Sequence, residues 1–307
     1  MSHSPSRRSA LVLGASFALA IGAFACTRTD GNGNGAPAGS ASGSGAAAAP
    51  AGKTSISAKG SDTMVLLSQR WAEEYMKSHP GSSIQVTGGG SGTGIAALIN
   101  GSTDLCNASR PMSDKEKAEV KSKRNADAVE TKVALDALAI YVNEKSPVTE
   151  IDLDTLKNIY LASTTNWKDA GGKDHTITLY GRENNSGTYG YFKEHVLANK
   201  DFAANVQTLA GTSAVVNAVK GDEFGIGYGG IGYAAGVRLL KVKKTKDSPA
   251  IEPKLETARD NSYPISRYLF IYTAGEPTGG AKDFITWILS EPGQKVVNDV
   301  GYFPLPK

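Results

Sequence analysis

From Thr54 onward, short strand-like runs alternate with amphipathic helical runs, and glycine or a hydroxyl residue stands at many of the junctions. That alternation restricts the chain to an α/β architecture, with mostly parallel pairing expected. "TSISAKG" predicts a strand. Met64, Leu67, Trp71 and Tyr75 recur at helical spacing in "DTMVLLSQRWAEEYMKSHPG", which Pro80 and Gly81 stop. "SIQVTG" predicts a strand, "TGIAALING" a short helix capped by Gly101, and "TDLCNAS" a strand. Ser113 followed by Glu116 gives a capping box at the start of "SDKEKAEVKSK", and "VETKVALDALAIYVN" holds one or two strands.

A second set follows Pro147. "DLDTLKNIYLA", "SGTYGYFKEHVLANK" and "TSAVVNAVKG" predict helices; "TITLYGR", "FGIGYGG", "GVRLLKVKK" and "YPISRYLFIYT" predict strands. Two closing helices are expected in "GAKDFITWILSEPGQKVVNDVG", broken at Pro292–Gly293. There is no exact internal repeat, but the two sets suggest two lobes of similar build.

Three helix starts share one pattern. Ser61 and Thr63, Ser91 and Thr93, and Ser186 and Thr188 each place Ser-x-Thr at the head of a helix, and glycines flank two of them. A helix N-terminus exposes unpaired N–H groups and partial positive charge, which attract anions. Hydroxyls there can donate to an oxyanion, and glycines let backbone come close. Ordinary N-caps need the same hydroxyls at any single site; the threefold recurrence points to a shared small anion. Arg182, four residues before Ser186, offers a guanidinium fork suited to oxyanions. Arg110, ending "ASR", is a second candidate cation. Either arginine alone could equally serve a surface ion pair.

Several signatures are excluded. "GGGSGTGI" lacks the lysine and spacing of a nucleotide P-loop. Ser91 has Thr93 where a nucleophile elbow needs glycine. Residues 225–230, "GIGYGG", satisfy only the bare glycines of GxGxxG and read as a close-packed strand and turn. One cysteine, Cys106, remains in the folded part, and the four histidines are scattered, so neither a disulfide framework nor a metal site is expected. The chain carries 33 basic and 30 acidic residues; setting aside Arg7 and Arg8 leaves 31 against 30, which does not favour nucleic acid.

The N-terminus reads as a targeting segment. Arg7 and Arg8 precede an apolar run, Leu11 to Ala25, too short to span a bilayer. It ends at "GAFAC", similar to a bacterial lipoprotein signal with Cys26 as the lipidated residue, although Ala23 stands where leucine is usual. An ordinary secretory signal cut near Ala25 is the alternative. Residues 27–53 are rich in Gly, Ala, Ser and Pro and read as a flexible linker, with a reach on the order of 30 Å.

Taken together and in order, "KGSDTM", "TGGGSGTGIAALINGSTDLCNASRPM", "GRENNSGTYGYF" and "FGIGYGG" resemble the phosphate-binding proteins of bacterial phosphate ABC importers. The resemblance covers the chain from about Thr54 to the C-terminus. It implies the two-lobed, type II periplasmic binding-protein fold, with the ligand cleft between lobes that close about two crossing strands. It also implies lobe I from residues 54–143 plus 267–307 and lobe II from 144–266. Ser61, Thr63 and Ser91, with the neighbouring amides of Gly92 and Thr93, would hold phosphate from the first lobe; Arg182, Ser186, Gly187 and Thr188 would hold it from the second. Many relatives carry Asp where this chain has Arg110. That Asp is thought to accept the proton of bound phosphate, so Asp62 becomes the nearest substitute, unless it is only a helix cap. Arg110 would then pair with Asp62 or add charge at the anion.

The implied protein is not an enzyme and needs no cofactor. It is a monomeric, lipid-anchored receptor of the bacterial cell envelope, working with membrane permease subunits. Another oxyanion (sulfate, molybdate or tungstate) is the competing ligand class. A secreted phosphatase would need an activated nucleophile or metals, and neither stands out; an adhesion or sensing protein on the same scaffold is a further alternative.

Overall fold

The computed structural model describes residues 54–306. The leader, Cys26 and the linker fall outside them. In chain order the first elements are β1 (Thr54–Gly60), α1 (Val65–Ser78), β2 (Ser82–Thr87), α2 (Ser91–Asn100), β3 (Leu105–Ala108), α3 (Asp114–Arg124) and β4 (Ala128–Val142). There follow β5 (Glu150–Asp152), α4 (Leu153–Tyr160), β6 (Thr178–Arg182), α5 (Gly187–His195), β7 (Gln207–Leu209), α6 (Thr212–Gly221), β8 (Gly225–Gly230), β9 (Arg238–Leu239) and β10 (Lys241–Lys243). The chain ends with α7 (Leu255–Arg259), β11 (Ser266–Ala274), α8 (Gly279–Leu289) and α9 (Glu291–Asp299).

The main sheet has the order β2-β1-β3-β11-β4-β8-β6-β7, with β9 also on β4. Parallel pairing holds toward both edges. The centre is antiparallel, contrary to the mostly parallel expectation, because β11 returns between β3 and β4, and β4 meets β8 head to tail. One strand serves both halves of this sheet: β4 pairs with β11 over Ala128–Ala137 and with β8 over Leu138–Val142. Its register with β11 shifts between Leu269 and Phe270, leaving Val133 as the extra residue of a bulge.

Because β4 is covered on both faces, its second half is continuously apolar. Leu138, Ile140 and Val142 join a core with Tyr160, Phe192 and Tyr228, while Ala139 and Tyr141 join Val215, Val216 and Val219 of α6. In the first half, Leu67 and Trp71 of α1 pack with Phe284 and Ile288 of α8. Ile95 and Leu98 of α2 cover the other face with Val120, Phe270 and Tyr272. Trp71 is fully buried, and its indole N–H donates to Gly293 O at 2.8 Å; truncating it to Ala costs about 3–5 kcal/mol.

Most sequence-level elements appear where expected, including the Gly101 cap (φ 72°) and the Ser113–Glu116 capping box. Two further expectations need correction. "GVRLLKVKK" is two short strands: β9 pairs with β4 and β10 with β5, and Leu240 is buried between them. The last two helices part at Ser290, so Pro292 lies in the first turn of α9, where a missing N–H costs nothing. The glycine strand β8 is close-packed as expected: a Cβ on Gly230 would lie 2.7 Å from both Thr63 Cγ2 and Tyr302 Oη. Among the described residues no helix is long and apolar enough to cross a membrane.

Candidate functional site

Three helix starts and the end of β3 converge on one buried cluster of hydroxyls. Ser61 Oγ donates to Ser109 Oγ at 2.9 Å, and Ser91 Oγ lies 3.3 Å from Ser109 Oγ. The Ser109 N–H donates to Ser91 Oγ at 3.1 Å. Thr188 Oγ1, from α5, sits 2.7 Å from Thr63 Oγ1 and 3.5 Å from Ser109 Oγ. All five side chains are buried. Each hydroxyl supplies one donor that can rotate, so the cluster can turn several O–H groups toward one oxyanion.

The Ser-x-Thr pattern divides here. Ser186 is an ordinary N-cap: its Oγ accepts from the Thr188 and Tyr189 N–H groups at 3.2 and 3.3 Å. Ser61 makes no such cap bond, and α2 is preceded by Gly90 (φ 87°) rather than a capping side chain. The Ser61 and Ser91 hydroxyls are therefore free for the cluster. Gly187 is required for its compactness, since a Cβ there would lie 2.3 Å from Ser91 Oγ and 2.7 Å from Ser109 Oγ.

Two arginines flank the cluster. Arg182, at the end of β6, is buried; its Nη1 donates to Thr212 Oγ1 at 2.8 Å and its Nη2 to Asp62 Oδ2 at 2.9 Å. Burial lowers the Arg182 pKa from its ordinary value, against the opposing pull of Asp62. Asp62 Oδ1 accepts from the Gly89 N–H at 2.7 Å, so both carboxylate oxygens of Asp62 are engaged. Arg267, on β11, reaches the cluster itself: Nη2 donates to Thr188 Oγ1 and Nη1 to the Ser109 carbonyl, both at 3.0 Å. Behind it stands the fully buried Asp136, which also accepts from the Ile231 N–H at 2.9 Å. Burial pushes the Asp136 carboxyl up, against Arg267 and that N–H.

Besides Ser186, three sequence candidates do not join the cluster. Arg110 is the clearest correction: both its Nη atoms go to Glu116, at 2.7 and 2.8 Å, so it pairs neither with Asp62 nor with the hydroxyls. Glu116 is already fixed there by the capping box of α3, which explains why it captures the neighbouring arginine. Gly92 and Thr93 face Asn185 instead: the Gly92 N–H donates to Asn185 O at 2.9 Å, and Thr93 Oγ1 accepts from Asn185 Nδ2 at 3.2 Å. Sequence reasoning missed Ser109, Asp136, Asn185, Thr212 and Arg267. An acid in "ALDALAIYV" and a base in "SRYLFIYT" are each costly in an apolar strand unless paired, and that was the available signal for Asp136 and Arg267.

Among the described residues, both nearby carboxylates are held by arginines and backbone N–H groups, and neither activates a hydroxyl of the cluster. The arrangement gathers O–H and N–H donors of the kind that can bind a small oxyanion.

A family model described as the PBP superfamily domain matches residues 45–292. The phosphate-binding protein PstS of Pseudomonas aeruginosa is 35% identical over 269 residues, covering 82% of this chain and 83% of that protein. PstS of Bacillus subtilis is 34% identical over 253 residues, covering 82% and 81%. A substrate-binding protein structure with bound phosphate from Clostridium perfringens superposes with TM-score 0.76 at 30% identity, covering 82% of this chain and 100% of that one. The fold is thus the two-lobed, type II binding-protein fold, and the chain belongs to the PstS family of phosphate-binding proteins.

Proposed function

We propose that the protein binds inorganic phosphate between its lobes and passes it to the membrane permease of an ABC importer. The observation that carries this reading is the buried cluster of Ser61, Thr63, Ser91, Ser109 and Thr188, flanked by Arg182 and Arg267. Its relatives are named phosphate-binding proteins, which supports the same ligand. Lobe I is residues 54–143 plus 267–307 and lobe II is 144–266. Two separate core groups support two lobes; they part along β4 near Ala134 and Ala137, so the second half of β4 packs with the core of lobe II while the chain boundary lies at its end. Ser61, Thr63 and Ser91 serve the anion from lobe I; Arg182, Gly187 and Thr188 serve it from lobe II. Ser109 and Arg267 are added to that set, Arg110 is left out, and Ser186 shapes the helix start.

The protein acts as a receptor rather than a catalyst, as a monomer tethered to the cell envelope through Cys26. Asp62 accepts the proton of the bound anion through its remaining lone pairs, which favours phosphate over sulfate, an anion without a proton at neutral pH. Calorimetry with phosphate and sulfate on the parent and on Asp62→Asn tests that reading. The parent should prefer phosphate and the variant should lose part of that preference. Equal preference in both would make Asp62 only the partner of Arg182.

A further inference from the structure

The glycine run "GGGSGTG" meets a residue of the opposite lobe. Asn185, in the turn before α5, makes three hydrogen bonds to it. Its carbonyl accepts from the Gly92 N–H at 2.9 Å, and its Nδ2 donates to Gly89 O at 3.0 Å and to Thr93 Oγ1 at 3.2 Å. The approach requires glycine. A Cβ on Gly90 would lie 2.7 Å from Asn185 O, and one on Gly92 would lie 3.2 Å from the same atom. The Gly92 N–H is one of the amides that a helix start leaves without an intrahelical partner. No side chain of its own segment caps α2. Asn185 supplies that cap from the other lobe.

We propose that Asn185 is the closure latch of the receptor: it caps α2 only when the lobes are shut, and so sets how long the anion is held. This rests on the phosphate reading above. The glycines at 90 and 92 are then explained by the approach of Asn185 rather than by backbone contact with the anion. Ser91, between them, is fixed for binding by the same contact, so closing the lobes and completing the site are one event. Other lobe-to-lobe contacts, Thr63–Thr188, Asp62–Arg182 and Arg267–Thr188, use residues of the anion site itself, and Tyr233 Oη donates to the Asp62 carbonyl at 2.9 Å. Asn185 is outside the hydroxyl cluster and can be altered without removing a group from it.

Stopped-flow kinetics with inorganic phosphate on Asn185→Ala, Asn185→Asp and the exposed neighbour Asn184→Ala tests the latch. Asn185→Ala keeps the carbonyl acceptor and loses both side-chain bonds. Its dissociation rate should rise about tenfold with association changed less than about twofold. Asn185→Asp turns a carboxylate toward the Gly89 carbonyl and should release phosphate at least as fast. Asn184→Ala should match the parent. Unchanged dissociation in both Asn185 variants overturns the proposal, as does a loss of affinity carried by association alone. If the parent binds no phosphate, the functional reading fails separately. Small-angle X-ray scattering without phosphate then decides the latch: a larger radius of gyration for Asn185→Ala than for the parent supports it, and equal radii overturn it.

Discussion

Arg267 and Asp136 face each other as register partners across the antiparallel strands β11 and β4, with Arg267 Nε 2.9 Å from Asp136 Oδ2 and neither side chain more than 2% exposed. The pair stands where β4 passes from one half of the sheet to the other. From there Arg267 reaches Ser109, at the end of β3, and Thr188, in α5. An ion pair in an apolar strand pair is a poor source of stability, because desolvation offsets attraction. Here it holds a guanidinium against both the end of β3 and the start of α5.

Breaking that pair from one side should be costly. Asp136→Leu leaves a buried, unpaired guanidinium and should lose about 3–5 kcal/mol of stability. The double variant Asp136→Leu with Arg267→Met should recover much of that loss and still bind phosphate weakly, because Thr188 and Ser109 lose their donor. Urea unfolding and calorimetry on the three proteins separate the effects. Full recovery of binding in the double variant would make Arg267 purely structural.

Gly187→Ala places a methyl group 2.3 Å from Ser91 Oγ. Overpacking of this kind costs about 1–3 kcal/mol, and here it falls on the hydroxyl cluster. Phosphate affinity should drop by about tenfold or more, while Gly221→Ala, whose added Cβ meets no atom within 4 Å, should leave affinity unchanged. Equal affinity for Gly187→Ala and the parent would separate the cluster from the ligand.

The Arg110–Glu116 pair gives a pH signature. Burial works to raise the Glu116 carboxyl, but Arg110 and the Ser113 N–H outweigh it and hold it below the usual carboxylate range. A carboxyl depressed in the folded state stabilises the fold above its unfolded pKa, about 4.3 for Glu. That stabilisation is lost as pH falls through the lower folded value. Glu116→Gln should therefore be less stable than the parent at pH 7, and the gap should narrow toward pH 3. Denaturation midpoints at both pH values check this; a gap that widens in acid contradicts it. Phosphate affinity at pH 7 should be unaffected, since neither residue touches the cluster.

The helix starts were legible because Ser, Thr and glycine at a junction have local meaning: Ser61, Ser91 and Thr188 all stand in the recurrent Ser-x-Thr pattern, but that pattern does not distinguish them from Thr93 and Ser186, which face elsewhere. Arg110 misled for the opposite reason. Its partner, Glu116, was visible as a capping-box acid, but nothing local says that one carboxylate serves both a helix N-terminus and an arginine six residues upstream. Asp136, Arg267 and Asn185 depend on which strands and turns meet, and a bulge at Val133 sets the register that brings Arg267 opposite Asp136. Such contacts span 79 to 158 residues of sequence, beyond the reach of periodicity. The antiparallel centre of the sheet was hidden likewise, because β4 and β11 read as apolar strands whatever their direction.

The most direct test is a calorimetric titration of phosphate into the parent and into Arg182→Ala, with sulfate as the competing anion. Arg182 has its side chain 1% exposed and is bonded to both Asp62 and Thr212. Losing a buried charged donor of this kind should weaken binding by about 2–5 kcal/mol. The account predicts one phosphate per chain, a clear preference over sulfate, and a large loss in the variant. A parent that binds no phosphate, or a variant within a few-fold of the parent, would contradict it.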